Sequence, residues 1–528
     1  MSINISDTNI TTGPIPKLND IQGLILRGYN LPYIRYIIFS IKDVNGARRF
    51  CKDLLPGSKA SLNVTTASPW KNGQKPPYCL NVGFTAAGLK KMLGEDQFND
   101  VSAESLDFFQ PYKKGAIKSA EKIGDVDESG PENWWKNTGG WISSVKPAPD
   151  GSDLHLQVSL FAHDSAGLES YYKELLAMVP GGIDVPALNA VFFKDSAPLS
   201  QGEDYIHFGY KDSFSQPRIA SVPWNTKDGR LRAGKSTIDD RPPVAMKYFV
   251  IGIDNTSKDP LKPDYNPHPL LENGSFAAFR LLYQDVEAFN KYINSARDGT
   301  SPDLMAAKMC GRWFDGTPLI VSPDKPNPDL KDFDYTNFNY LNHTPNQHGK
   351  GDSDDLGQLC PYAAHIRRTN PRDDVKVKGN ADLEGKPTYA ETRRIMRRAG
   401  PYGPDYKADE VKGIQRGLIG LFICANLTEQ FIFIMDSWIN NGGFRPDNDN
   451  SPNSSGCDPL FGPTDKKFPL DTEFDYLPNG ATDQPYKRVP GLERFIRTDG
   501  SMFLFLPGIK AFEDIANGVI PTKPQSEL

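Results

Sequence analysis

Hydrophobic and polar positions alternate in several short runs of the chain, and each run predicts a strand. Tyr33–Lys42 (YIRYIIFSIK) is the first, with a partly alternating pattern. Leu154–Phe161 and Ala190–Lys194 follow, and between them the spacing predicts a helix over Gly167–Val179. A short amphipathic helix is expected over Thr85–Leu93. The second half repeats the style. Phe276–Leu282 reads as a strand, and Asp285–Asn294 as a helix with Val286, Phe289 and Tyr292 on one face. Gly417–Ala425 reads as a buried strand, and Glu429–Asn440 as a helix closed by Asn441-Gly442-Gly443. Met502–Leu506 is a last strand, followed by a helix near Ile509–Ile515. Two copies of an α+β unit are expected from this order, each an antiparallel sheet with helices on one face.

Between these elements lie long polar stretches at 118–153, 222–243, 318–353 and 445–484. Loops of that length are uncommon unless they have a job, and the aromatics in them, such as Trp134, Trp135 and Trp141, predict packed rather than free segments. Composition adds exclusions. The chain has 528 residues, with 46 Gly and 44 Pro, which is too little bias for a collagen or a disordered chain. Its 60 basic and 66 acidic residues give a net charge of -6, which offers no general attraction to nucleic acid or to anionic membranes. The apolar run at Gly417–Ala425 is too short to span a bilayer, and the N-terminal residues lack the pattern of an export signal. Six scattered cysteines include no CxxC pair, so neither a disulfide framework nor a zinc site is expected, and the cytoplasm is the expected compartment.

Two formal motif matches fail on context. Gly229–Ser236 (GRLRAGKS) satisfies the phosphate-loop pattern, but no buried strand precedes it and Pro242-Pro243 follow it closely. Asp447, Asp449, Ser451 and Asp458 have a calcium-loop spacing, but Pro452 stands where the turn needs Gly. Three other segments carry more chemistry. In His207–Pro217, Asp212 sits between Tyr210 and Phe214, and a carboxylate kept near neutral among aromatics can shuttle a proton; an Asx-turn or cap is the other reading. In Cys360–Arg372, Pro361 can open and Asn370-Pro371 can end a short helix carrying His365, a candidate ligand for a metal or haem iron, or else a structural hydrogen-bonding residue. From His365 to Arg398 ten Lys/Arg face five Asp/Glu, a focus that suits an anionic ligand or else forms a solvated basic face. In Arg393–Gly403 an arginine beside a pocket can stabilise developing negative charge. Thr388 with Glu391 there reads either as a helix capping box or as the approach to a short strand ending at Gly400-Pro401.

In this order, the three segments resemble the dye-decolourising (DyP-type) haem peroxidases. The family's GxxDG motif is matched by Gly209–Ser213, its proximal-histidine segment by Cys360–Arg372, and its distal-arginine segment by Arg397–Gly403. Asp20-Ile21-Gln22-Gly23, the GFTAAGL run at 83–89 and the GLFICANLTEQF run at 420–431 are similar too, so the resemblance spans roughly residues 17–515. It implies a duplicated ferredoxin-like α+β fold of the dimeric α+β barrel type. An N-terminal half (17–221) would carry the distal Asp, a linker would span 222–243, and a C-terminal half (244–515) would bind most of the haem. It implies haem b with His365 as proximal iron ligand, Asp212 and Arg397 as distal catalytic residues, Arg372 at a propionate, and Leu421 and Phe422 lining the distal pocket. The implied activity is reduction of hydrogen peroxide at ferric haem and oxidation of phenols and dyes through a ferryl intermediate. A haem-binding protein with weak turnover is the alternative, and a cofactor-free interaction protein that kept the fold is a second. The last Gly of GxxDG is Ser213 here, and a Gly at that place can supply a backbone angle that Ser tolerates less well.

Overall fold

Eight long strands make one antiparallel sheet, and their buried side chains alternate between its two faces. The computed structural model describes residues 17–521, apart from 71–73, 137, 142–147, 149, 182–185, 221, 223–243, 254–266, 296–299, 331–334, 337, 342–353, 355–356, 374–388, 443, 445–455, 457, 462–473, 477–486 and 490. The strands are β1 (Tyr33–Ile41), β2 (Tyr78–Phe84), β3 (Leu156–Ala162), β4 (Leu188–Ser196), β5 (Ser275–Gln284), β6 (Met396–Tyr402), β7 (Gly417–Cys424) and β10 (Ile496–Leu506). A small ribbon of β8 (Phe474–Tyr476) and β9 (Lys487–Val489) stands apart.

The strand order is β4-β1-β3-β2-β10-β5-β7-β6. It divides into two identical patterns, since the fourth, first, third and second strands of each half lie side by side. In the first half the helices Val44–Asp53 and Ser165–Ala177 link β1 to β2 and β3 to β4. In the second half, helix Val286–Asn294 follows β5. This is the ferredoxin-like α+β unit, present twice. The halves meet where Phe84 of β2 pairs with Phe505 of β10. The outer strands β4 and β6 meet again, because Ala197 N donates to Pro401 O at 3.1 Å beside β4. The eight strands therefore wrap into a barrel. β1–β4 fall within 17–221 and the remaining strands within 244–515, while 223–243 lies outside the described residues, as does the GRLRAGKS segment.

Local signals start the helices where the sequence places them. Thr85 caps Ala86–Leu93 by accepting from Gly88 N, and Asp285 caps its helix by accepting from Ala288 N. The expected helix after β7 departs from α geometry. Ile432 N donates to Leu427 O and Asn440 N to Met435 O, five residues back, so Thr428–Ile432 and Ile434–Ile439 wind as π-helix. β2 was not expected, and β10 is longer than the predicted Met502–Leu506. Among the described residues no helix is long and apolar enough to cross a membrane.

The long loop before β3 is packed, as its tryptophans predict. Trp134 and Trp135 are buried, and the Trp135 ring stacks on Phe279 of β5 at 6.3 Å. The same loop supplies Asp125, which pairs with Arg280 of β5; Arg280 Nη2 also donates to Thr498 Oγ1 at 2.8 Å. Both partners are buried, so removing one strands the other's charge. Asp125→Ala is expected to destabilise the protein by about 3–5 kcal/mol in a denaturant titration. A loss under about 1 kcal/mol would contradict this reading of the pair.

Candidate active site

One face of the C-terminal half-sheet forms the wall of a large cavity. β5 contributes Arg280, Leu282 and Gln284, β7 contributes Leu418 and Phe422, and β6 contributes Arg397. The π-helical segment supplies Phe431, Ile434, Met435 and Ile439, and the helix His365–Thr369 supplies its first residues. The cavity encloses about 1530 Å³ between atoms, its open mouth included.

Asp212 enters from the loop that follows β4. Lys211 N donates to Phe314 O at 2.8 Å and Asp212 N to Asp204 O at 2.6 Å, which fix the loop on both sides. Ser213 (φ 74°) and Ser215 (φ 58°) are left-handed, so the chain turns twice around Phe214. Arg397 sits opposite Phe422 across β6 and β7. Its Nη1 lies 3.3 Å from Asp212 Oδ1, and its Nη2 donates to Phe214 O at 2.9 Å. The expected setting of Asp212 needs correction. Tyr210 and Phe214 are buried but pack on Phe314 and Tyr335, whereas the Asp212 side chain is 40% exposed and faces a guanidinium.

His365 opens its helix rather than sitting one turn inside it, because the helix begins four residues later than Pro361 allows. Its Nδ1 is 2.9 Å from Asp458 Oδ2. Asp458 is wholly buried, and its Oδ1 accepts from Leu460 N and Phe461 N at 3.0 and 3.2 Å. Burial alone raises the Asp458 pKa, but the adjoining His365 and Arg368 outweigh it and hold the carboxyl below its ordinary value. An ionised Asp458 accepts a hydrogen bond from Nδ1–H of His365, which leaves the Nε2 lone pair for a ligand. Phe461 lies flat beside the imidazole, with ring centroids 5.9 Å apart. Sequence reasoning placed Asp458 only in a rejected calcium loop, and 93 residues separate it from His365.

Among the described residues the arginines of the basic stretch are largely interior, which corrects the solvated-face reading for them. Arg367 lies between the rings of Tyr340 and Tyr362 at 4.3 and 3.9 Å and pairs with buried Asp354. Arg368 donates to Trp438 O and Asn441 O at 3.0 and 2.9 Å. Arg372 lines the cavity, donates to Phe338 O at 2.6 Å and covers the Phe338 ring. Thr388 lies outside the described residues, a short helix over Tyr389–Thr392 follows it, and a strand then runs from Met396 through Gly400-Pro401 to Tyr402 rather than ending at that pair. Leu421 is a further correction. It is buried in the main core with Ile419 and Ile423, on the face opposite Phe422, because neighbours in a strand cannot share a face. Leu418, four residues before Phe422, shares the cavity wall with it.

The donor set suits a haem. Lys211, Arg280, Arg312, Arg372, Arg394 and Arg397 line the cavity against Asp212 as its lone acid among the described residues, which favours a ligand with carboxylates. The buried hydroxyl of Ser215 faces the cavity with no partner. No group of three or more metal-ligating side chains is gathered among the described residues. A single imidazole therefore fits an iron that brings its own equatorial ligands.

The same architecture and length recur in known proteins. No family model matches the chain. It is 26% identical over 516 residues to the dye-decolorizing peroxidase of Exidia glandulosa, covering 93% of this chain and 86% of that protein. It is 25% identical over 530 residues to a multifunctional dye peroxidase of an Amycolatopsis species, covering 96% and 98%. A solved structure of a dye-decolorizing peroxidase in complex with 2,6-dimethoxyphenol superposes with a TM-score of 0.71 at 23% identity, over 95% of this chain and all of that one. The chain is similar over nearly its whole length to DyP-type peroxidases.

The site departs from the GxxDG pattern at Ser213, and the departure acts on the backbone. Ser213 holds φ 74°, a region that suits Gly. Ser213→Gly is expected to stabilise the protein by about 1 kcal/mol in a thermal melt, with the Asp212–Arg397 contact kept. A destabilised variant would show that the serine side chain contributes packing that outweighs its strain.

Proposed function

We infer that the protein is a haem peroxidase, reducing hydrogen peroxide and oxidising organic donors such as phenols and dyes. One observation carries the reading. A single cavity holds a histidine whose Nε2 is free for iron and, on its wall, a carboxylate–guanidinium pair suited to peroxide. The cofactor is assigned as haem b. The cationic end of the cavity matches two carboxylates, and the end around Leu282, Leu418 and Ile496 matches an uncharged porphyrin edge.

Bound there, haem supplies the redox chemistry. His365 would hold the iron through Nε2, with Asp458 fixing its tautomer and strengthening its basicity. Arg372 and Arg394 would meet the carboxylates. Asp212 is the group able to move a proton from one oxygen of hydrogen peroxide to the other, directly or through one water. Arg397 offsets the negative charge that grows as the O–O bond breaks, and the doubly protonated oxygen leaves as water. The Arg397–Phe214 carbonyl bond keeps the guanidinium aimed at Asp212.

A second reading, haem binding with slow turnover, draws on the left-handed Ser213 beside Asp212. Steady-state oxidation of 2,6-dimethoxyphenol separates the two. The peroxidase requires both haem and hydrogen peroxide and turns over many times per site. Haem-replete protein without turnover would favour the second reading.

A further inference from the structure

Arg368 stands three residues after His365 on the helix His365–Thr369, so its guanidinium and the imidazole leave the same side of one short helix. Both reach the loop that carries Asp458. His365 Nδ1 meets Asp458 Oδ2 at 2.9 Å, and Arg368 Nη2 donates to the carbonyl of Gly456, two residues earlier in that loop. Gly456 is left-handed, with φ 77°, so the chain turns at the residue that Arg368 holds. Arg368 Nη1 faces three more carbonyls, Trp438 O at 3.0 Å, Ile439 O at 3.2 Å and Asn441 O at 2.9 Å. Trp438 and Ile439 close the π-helical segment Ile434–Ile439, and the last carbonyls of a helix have no amide ahead of them and favour a cation. The arginine is fully buried.

These contacts differ in what they fix. Asp458 Oδ1 accepts from Leu460 N and Phe461 N, which shapes the turn around Asp458 but is local to it. The Arg368–Gly456 bond spans 88 residues and joins that turn to the helix carrying His365. The bonds to Trp438, Ile439 and Asn441 join the same helix to the π-helical segment, whose Ile439 lines the cavity. The Asp458 loop is thus held against the His365 helix at a second point, beside the imidazole contact itself. A planar fork of five N–H donors serves carbonyls in several directions at once, and a single ammonium on a flexible stem does not keep that geometry. Without the fork the turn loses its long-range tie, and the charge-assisted bond between His365 and Asp458 loses its fixed length and direction.

We propose that Arg368 is a positioning residue for His365, acting by fixing the Asp458 turn against the His365 helix so that the Nδ1 contact keeps its geometry. The proposal rests on the reading of His365 as the iron ligand. Its test is resonance Raman spectroscopy of the haem-replete, reduced protein, in which the iron–histidine stretch reports how strongly Nδ1 is hydrogen-bonded, together with haem titration of the apoprotein. Arg368→Lys, which keeps the charge but not the fork, is expected to lower the stretching frequency and to weaken haem binding by about 10-fold. Arg368→Met should lower both further, and the Lys variant carries the test if the Met variant does not fold. Asp458→Asn is expected to lower the stretch by itself. Adding Arg368→Lys to it should then lower the stretch no further, because the arginine acts through Asp458. A reduced melting temperature in Arg368→Lys with the stretch and the haem affinity of the parent would overturn the proposal and leave the arginine a structural tie only. Additive shifts in the double variant would overturn it as well. A parent protein that binds haem without an iron–histidine stretch would overturn the reading of His365 and this proposal with it, whereas a parent stretch that ignores Arg368 removes this proposal alone.

Discussion

Asp212→Asn and Arg397→Leu are each expected to slow the reaction with hydrogen peroxide by about 10²–10⁴-fold while haem stays bound. The geometry gives the reason. Asp212 Oδ1 and Arg397 Nη1 lie 3.3 Å apart, both side chains are partly open to the cavity, and neither is a core residue whose loss collapses the fold. Asn keeps the shape of Asp212 but cannot take a proton. Leu keeps bulk at Arg397 but no charge. Because the two groups act as a unit, the double variant should be little slower than the worse single one. Stopped-flow absorbance in the haem bands reads the rate directly. If both variants react at the parent rate, the assignment of the distal pair is wrong.

The second large effect is at His365 and Asp458, the residues that would hold the haem iron. His365→Ala should weaken haem binding by more than about 10²-fold, and added imidazole should restore part of the absorption band. Asp458→Asn should cost about 10–100-fold in haem affinity, because Asn cannot hold the Nδ1 proton with a negative charge. Titration of the apoprotein with haem measures both. The melting temperature of the apoprotein separates ligand orientation from simple unfolding. If Asp458→Asn binds haem as the parent does, the Nδ1 contact at 2.9 Å has no part in holding the cofactor.

Most strands were legible because alternation of apolar side chains survives in one dimension. β1, β3, β5 and β7 lie where the pattern puts them, within a residue or two at most ends. β2 was missed because Asn81 and Gly83 interrupt its run, although Asn81 is buried and bonded to Tyr29 and Gln22. The N-terminal end of β10 was hidden by Arg497, Thr498 and Asp499, whose partners come from distant parts of the chain or from one another. The site was legible where its residues share short segments. Asp212, His365, Arg372, Arg397 and Phe422 all line the cavity.

The rest depended on contacts that only folding creates. Asp458 carries no local signal, since an aspartate in a polar loop is common and its partner is remote in sequence. Phe338 and Tyr340 lie in a polar-looking loop, yet both line the cavity. The basic run looked solvated because its partners are backbone carbonyls such as Trp438 O and ring faces such as Tyr340. The error at Leu421 could have been avoided from the sequence. A strand over Gly417–Cys424 puts Leu421 and Phe422 on opposite faces, so both could not line one pocket.

The central claim is that one cavity joins an iron-binding His365 to a peroxide-activating Asp212–Arg397 pair. The most direct test is an absorption spectrum of the purified, haem-replete protein before and after one equivalent of hydrogen peroxide. A haem band that changes within seconds, and changes far more slowly in Arg397→Leu, is the predicted result. A haem band that ignores peroxide would contradict the distal pair and leave a haem-binding protein. No haem band at all would contradict the role of His365.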